Sequence, residues 1–521
     1  MSAPAEVATP PRNAPVEAVW RPRYNPWVIA LTVTLATFME VLDTSIANVA
    51  LPHIAGNLSA STDESTWVLT SYLVSNAIVL PMSGWISNRI GRKRFYMTCV
   101  ALFGISSLLC GIAPSLGMLV FFRVLQGIGG GGLAPSEQAI LADTFSPRQR
   151  GMAFALYGLA VVLAPAIGPT LGGFITDNYS WRWIFLINLP VAALSLFLTS
   201  RLVEDPPWLR GKARGQHRVD YIGLGLIAVG LGGLQVVLDK GQREDWFQSP
   251  FILWFTVIAV GALIATLFWE YFHDEPIIDI RLFRNRTFAL SCGMMFILGL
   301  ALFGTTVLLP QLLQTLMGYS AQDAGMVLSP GGLTVLCLMP VVGIMVSKLD
   351  ARYLIAFGFL ASALSLWYMT GLSLDISYGY AVKLRVLQSI GIAFLFVPIN
   401  TMSYAGVDPR KSNEVSGMTN LMRNIGGSVG ISLVETMLAQ RSQVHQSTLA
   451  ANATPYNPQF RALTHGVAHG YSRVYALIQQ QAAALAYIDT LRVFAVLCLV
   501  MFPLAFFMKK QRPGKGPVAA H

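Results

Sequence analysis

The sequence predicts an all-α membrane protein with fourteen transmembrane helices, built as two related six-helix bundles with two further helices inserted between them. Composition is the first observation behind this. Hydrophobic residues make up 54% and charged residues only 12% of the 521, whereas a soluble protein carries about 25% charged residues. The second is length: fourteen apolar stretches reach the roughly twenty residues that a bilayer crossing requires. The third is an internal repeat. Arg123-Val124-Leu125-Gln126-Gly127-Ile128-Gly129 returns 262 residues later as Arg385-Val386-Leu387-Gln388-Ser389-Ile390-Gly391. Pro147-Arg148 returns as Pro409-Arg410 and Gly168 as Gly430, at the same offset. Convergent use of Gly in packed helices accounts for the glycines alone, so the whole pattern points to duplication. The offset separates the fourth span from the twelfth, eight helices, where two adjoining six-helix halves would give six. Two helices are therefore inserted.

Taken in chain order, residues 1–26 are Pro-rich, carry Glu6 and Glu17 and lack an apolar core, which predicts a disordered cytoplasmic tail rather than a signal peptide. Residues 27–202 form the N-terminal bundle, with spans centred near 38, 76, 104, 128, 162 and 192. Residues 203–285 hold a basic loop (Arg210, Lys212, Arg214, Arg218) and the inserted spans, near 230 and 261. Residues 286–508 form the C-terminal bundle, centred near 298, 335, 362, 391, 426 and 498, and residues 509–521 a basic cytoplasmic tail with Lys509, Lys510, Arg512 and Lys515. With the N-terminus inside, most of the 36 Lys and Arg fall on the cytoplasmic side, so both termini are expected there. The net charge of +10 is thus a topology signal and does not indicate nucleic acid. Trp27, Trp67, Trp85, Trp181 and Trp183 mark span ends. Five Cys lie in apolar runs without metal-ligand spacing and read as small packing residues. The segment 440–487 lacks a membrane-length apolar run. Tyr471, Val474, Tyr475, Ile478 and Leu485 share one helical face there, predicting an extracytoplasmic amphipathic helix that lies on the membrane or docks a partner.

Charges inside the spans carry the chemistry. Each copy of the repeat places a guanidinium among aliphatic residues, which is costly unless it faces a partner or a watery cavity. Glu40 and Asp43 are three residues apart on one face of span one. An isolated carboxylate in hydrocarbon binds a proton, a neighbouring carboxylate strengthens that tendency, and an arginine opposes it. Asp43 lies about 24 Å along span one and Arg123 about 9 Å along the oppositely running span four, which brings them to similar depth in a core of about 30 Å. Asp43, Glu40 and Arg123 are therefore the candidate proton-coupling group; the alternative is that Arg123 only ties helices together through backbone carbonyls. Glu40 is also a candidate for binding substrate cations, and Gln126, Asn420 and Arg423 are further candidates for a substrate cavity. In the second half, Arg385 has no comparable acidic pair in the first span of its own bundle.

Gly127 to Gly132 formally fit a dinucleotide fingerprint, but no strand precedes them; four consecutive glycines inside a membrane helix instead allow close approach and bending. In span five, Ala164-Pro165, Gly168-Pro169 and Gly172-Gly173 make a small-residue ridge, serving packing alone or a bend that rocks one half. Gly84-Trp85-Ile86-Ser87-Asn88-Arg89-Ile90-Gly91-Arg92-Lys93-Arg94 joins spans two and three and reads as a cytoplasmic clamp, a topology signal, or both. Glu414 and Glu435 fall near opposite ends of span thirteen, and His465 and His469 have no third metal ligand.

That loop resembles the loop signature of the major facilitator superfamily. Leu42-Asp43-Thr44-Ser45-Ile46-Ala47-Asn48-Val49-Ala50-Leu51-Pro52 resembles the first-helix motif of its fourteen-helix drug:proton antiporters, of the EmrB type. Arg123 to Gly127 is similar to their fourth-helix motif, Gly168-Pro169 with Gly172-Gly173 to their antiporter motif, and Trp181 to Pro190 to their sixth-helix entry. Two departures stand out: Asn88 occupies a position usually held by Asp, removing a charge from the gate, and Ala164 replaces a common first Gly. The resemblance implies the major facilitator fold in a bacterial inner membrane, no cofactor, and export of small hydrophobic or amphipathic compounds against proton entry. Asp43 and Arg123 would then couple protons, while the glycines of the antiporter motif formed by Gly168, Pro169, Gly172 and Gly173 suppress leak. Gly84, Asn88, Arg89, Gly91 and Arg92 would form the loop motif. It also implies a periplasmic adaptor (membrane fusion protein) and an outer-membrane channel as partners, besides membrane lipid. The alternative within transporters is a dedicated exporter of one metabolite, siderophore or fatty acid. An enzyme should show clustered His, Ser or metal ligands at one membrane face, and a sensor should carry a sizeable soluble domain; the sequence displays neither.

Overall fold

The computed structural model describes residues 22–146, 148–206, 220–274, 276–371, 377–454, 456–464 and 470–510. The N-terminal tail up to residue 21, the four basic residues between 207 and 219, Pro147, His465, His469 and the C-terminal tail from 511 lie outside the described residues. All regular structure among the described residues is helical. The long helices are α1 (Pro26–Asn57), α2 (Trp67–Ile90), α3 (Arg92–Gly111), α4 (Leu116–Thr144), α5 (Arg150–Asn178), α6 (Trp183–Leu202) and α7 (Tyr221–Lys240). They continue as α8 (Pro250–Phe272), α9 (Arg286–Met317), α10 (Ala321–Lys348), α11 (Ala351–Met369), α12 (Tyr378–Ser403), α13 (Ser412–Ala451) and α14 (Gly470–Leu504).

Twelve of these are long and apolar enough to cross a membrane, and α5 makes a thirteenth as two segments, Arg150–Pro165 and Ile167–Asn178, meeting at 42°. The bend falls at Pro165, which cannot donate its backbone hydrogen bond and crowds the preceding turn. Only α13 is too polar to qualify by composition, which corrects its reading as an apolar span. Its polar residues are affordable because α9, α14, α2 and the second half of α4 enclose it, and Asn413, Ser416, Thr419, Asn420 and Arg423 are all buried.

The duplication is visible as repeated packing. The first helix of each half packs along the fifth (α1 on α5, α9 on α13), and the fourth lies between the second and third (α4 with α2 and α3, α12 with α10 and α11). The halves meet reciprocally, α5 on α10 and α2 on α13. Small residues permit these approaches: a Cβ added at Gly151 would sit 2.8 Å from Gly343 O, across the α5–α10 contact. The inserted pair lies outside this frame. α7 rests on α2 and α13, while α8 packs on α7 and exposes Trp254, Val257 and Phe268. α7 is tied to α2 by Thr70 donating to Asp239 and by Lys240 Nζ donating to Thr66 Oγ1 at 2.5 Å.

Short signals set the connections. Gly91, with φ of 93°, turns the chain between α2 and α3 in a conformation that side chains disfavour. Ser61 and Glu64 form a reciprocal capping box before α2, and the Ser61 backbone and hydroxyl hydrogen bonds hold the Glu64 carboxyl below its ordinary pKa.

Residues 440–487 are not a separate surface-lying element. α13 runs on unbroken to Ala451, a length of about 60 Å for 40 residues at about 1.5 Å each, and α14 begins at Gly470. The two extensions form an antiparallel hairpin, joined where Asp489 of α14 meets His445 at 2.9 Å and Arg441 at 3.9 Å, both on α13. The expected apolar face is only partly used. Val474 is buried and Ile478 and Leu485 half-buried, whereas Tyr471 and Tyr475 are exposed. Of the cysteines, Cys99, Cys110, Cys292 and Cys498 are buried but Cys337 is exposed, so it is not a packing residue.

Candidate functional site

Asp43 and Arg123 meet at the depth their positions along α1 and α4 predict. Arg123 Nη1 donates to Asp43 Oδ2 at 2.6 Å, with both side chains fully enclosed. The carboxylate accepts two more hydrogen bonds, one from α4 itself and one from α6. Gln126 Nε2 donates to Oδ1 at 3.0 Å and Asn188 Nδ2, at the head of α6, donates to the same oxygen at 2.6 Å. Asn188 is aimed by the Ser107 hydroxyl of α3, 3.0 Å away, which itself donates to Phe185 O. The guanidinium is held in turn by Gln126 Oε1 (2.7 Å) and Val68 O (2.9 Å), and it lies 4.4 Å above the Tyr72 ring. A buried ion pair survives only with such supporting hydrogen bonds. Arg123 thus binds a backbone carbonyl as well as a carboxylate.

Glu40 does not share this pair. It turns to α2, accepting from Asn76 Nδ2 at 3.0 Å and from Tyr72 OH at 3.3 Å, while its second oxygen has no hydrogen-bond partner. Tyr72 is the link between the two sites, its ring under Arg123 and its hydroxyl on Glu40. Glu40 lines a central cavity of about 140 Å³, with Tyr72, Asn76, Phe303, Arg423 and Gln235 of inserted helix α7.

Of the four cavity candidates, Glu40 and Arg423 are in the lining and Gln126 and Asn420 are not. Gln126 is drawn away because it serves both Asp43 and Arg123. Asn420 is buried in the contact between halves, donating to Gln138 Oε1 and accepting from Tyr157 OH, both at 3.0 Å. Tyr157 also accepts from Arg423 Nη1 at 2.8 Å. Glu137 on α4 was not singled out from the sequence. It is buried and makes no ion pair among the described residues, accepting from Thr34 Oγ1 at 2.6 Å.

The glycines of α4 sit against α2 and α3. A Cβ on Gly129 would stand 2.7 Å from Phe103 N, and one on Gly131 2.7 Å from Asn76 O. In α5, Gly168 and Gly172 press on Ser45 and Ile46, the residues just beyond Asp43, and a Cβ on Gly172 would be 3.0 Å from Ile46 Cγ2. Gly173 faces open space and is not part of the ridge. Pro169 lies within the second segment of α5.

The α2–α3 turn closes that end of the molecule across the halves. A Cβ on Gly84 would be 3.1 Å from the Glu414 backbone of α13. Asn88 accepts from Asn413 Nδ2 at 2.9 Å and donates to Glu414 Oε1 at 3.4 Å. Arg92 is buried in an ion pair with Asp143, whose other oxygen accepts from Ser412 Oγ at 3.2 Å. Arg89 lies 5.4 Å from the Trp85 ring. Glu414 is therefore part of this closure, beyond its expected place at a helix end.

The second copy of the repeat builds the same frame without the acid. Gln388 accepts from Arg385 Nη1 at 2.8 Å, as Gln126 does from Arg123. Its Nε2 then reaches Thr305 Oγ1 at 2.6 Å, and Thr305 lies 262 residues after Asp43. The absence of an acidic partner, expected from the sequence, takes this form.

Comparisons with known proteins agree with this architecture. A family model described as Major Facilitator Superfamily matches residues 33–431. The multidrug export protein EmrB of Escherichia coli (strain K12) is 38% identical over 459 residues, covering 88% of each chain. The fatty acid resistance protein FarB of Neisseria gonorrhoeae is 35% identical, covering 93% of this chain and 96% of its own. Among solved structures, the proton:xylose symporter XylE, bound to 6-bromo-6-deoxy-D-glucose, aligns with a TM-score of 0.59 at 17% identity over 93% of this chain and 96% of its own. At that identity the likeness is one of fold.

Proposed function

The chain belongs to the major facilitator superfamily, in the EmrB type, and from that premise we propose that it is a proton-coupled multidrug exporter working by alternating access. The relatives carry this as far as a transporter of the multidrug-export kind; the coupling reading rests on the buried Asp43–Arg123 pair, linked through Tyr72 to the cavity lining. In this reading the charged pair holds α1, α4 and α6 together. Protonation of Asp43 removes its half of the attraction, leaves Arg123 to Gln126 and Val68 O, and loosens α1 against the glycine ridge of α5. The halves then rock, exposing the cavity to the other side. Glu40 meets cationic or amphipathic substrates directly, with Arg423, Tyr72 and Phe303 as the remaining wall.

The orientation proposed is the one the basic residues favour, with both termini and the α2–α3 turn cytoplasmic in a bacterial inner membrane. The α13–α14 hairpin would then project outward, where it offers a helical surface to a periplasmic adaptor and outer-membrane channel. A dedicated exporter of one fatty acid or similar compound is the second reading, favoured by the similarity to FarB.

The deciding experiment is transport in proteoliposomes with an imposed proton gradient. Asp43→Asn is expected to abolish gradient-driven export while retaining substrate binding; undiminished gradient-driven export would remove Asp43 from coupling.

A further inference from the structure

Arg385 is enclosed at 6% exposure, yet Gln388 is its sole hydrogen-bond partner among the described residues, and its Nε has none. Its own helix α12 and the adjacent α9 and α11 carry no Asp or Glu. On α10, Asp323 is occupied in its N-cap, with Ser320 Oγ at 2.7 Å. A guanidinium removed from water without a counter-ion is unfavourable unless an anion arrives. Arg385 also lines a cleft between the halves, whose other walls include Val161 and Pro165 of α5, Leu302, Phe303 and Thr306 of α9 and Leu328 of α10. Val161 and Phe303 line the central cavity as well, so they form a wall common to that cavity and to this cleft of about 20 Å³. One charged fork set in a mostly apolar wall beside that cavity matches an acid with an apolar tail.

We propose that Arg385 and this cleft form a subsite for the anionic head of an amphipathic carboxylate, whose tail lies past Val161 and Phe303 into the central cavity. The two guanidiniums of the repeat then differ in partner. Arg123 is neutralised by the protein's own Asp43, whereas Thr305 at the matching position leaves Arg385 for the ligand's carboxylate. Glu40, in the lining of the central cavity, carries the opposite charge, so acids and cations meet different residues. The assignment rests on the export reading above, naming a substrate class for it.

The test is binding of radiolabelled decanoate to the purified full chain, with decanol, decyltrimethylammonium and chloride as competitors. In the parent, decanoate is expected to compete about tenfold or more better than decanol, the scale of a charge-assisted bidentate contact. Arg385→Gln should remove that preference and leave decyltrimethylammonium binding unchanged, while Arg385→Lys keeps part of it. Should Arg385→Gln fail to fold, Leu328→Trp, which fills the cleft and keeps the Arg385 side chain, should give the same selective loss. Decanoate binding unaltered by all three variants would overturn the proposal, as would displacement by chloride with no preference for decanoate over decanol, which would mean a site for inorganic anions. Proton-driven export of decyltrimethylammonium by Arg385→Gln separates the two readings. If it persists while decanoate selectivity is absent from the parent, the subsite fails alone; if the parent itself exports nothing, the export reading fails.

Discussion

Asn88→Asp should open the end of the molecule that Asn88 now helps to close. The substitution restores the residue usual in the resembling loop motif, yet here it places a carboxylate opposite Glu414. The amide that donates to Glu414 Oε1 at 3.4 Å becomes an acceptor. Two unit charges at that distance repel by about 5 kcal/mol at an effective dielectric of about 20. Rotation of the side chains to about 7 Å, with water entering at a dielectric of about 40, reduces this to about 1 kcal/mol. Even that lower figure shifts a closed-to-open ratio about fivefold. The assay is electron–electron distance measurement between spin labels at Ile90 and Arg410, both exposed at this end, in a cysteine-free background. The substitution should populate a longer distance, and adding Glu414→Gln should return the distribution to that of the parent. An unchanged distribution in Asn88→Asp, or no recovery in the double variant, would refute the electrostatic account.

Three further outcomes follow from the geometry. Gly168→Ala should destabilise the protein by about 1–3 kcal/mol through overpacking against Ser45, whereas Gly173→Ala should leave melting within about 0.5 kcal/mol of the parent because nothing faces it. Arg123→Lys keeps the charge but cannot span Asp43, Gln126 and Val68 O together; export should fall at least about tenfold with the protein still folded, and full activity would show that charge alone suffices. Replacing both Asp239 and Lys240 by Ala should loosen α7 from α2, read as faster proteolysis between α7 and α8 with the two bundles intact.

Much of this protein follows from local pattern. Helix-length apolar runs define the crossings because the bilayer leaves no other way to satisfy the backbone, and a 262-residue repeat spanning eight helices reveals both the duplication and the insertion. Even the Asp43–Arg123 pairing was legible, since helical rise converts residue number into depth. Depth along a helix, however, does not say how that helix is rotated against its neighbours. Rotation separates Glu40 from Asp43, sending one to Asn76 and the cavity and the other to Arg123, although both lie on one face of α1. It also places Gln126 with the ion pair and Asn420 between the halves, where their sequence positions suggested only a cavity. Asn188 and Ser107 left no local signal beyond being polar in apolar helices, because their role depends on α3 and α6 converging on α1. Composition and spacing thus determined the class, the repeat and the helices that carry charge. Only the packed structure decided which charges meet, because contacts between helices far apart in sequence depend on side-chain packing that no local periodicity encodes.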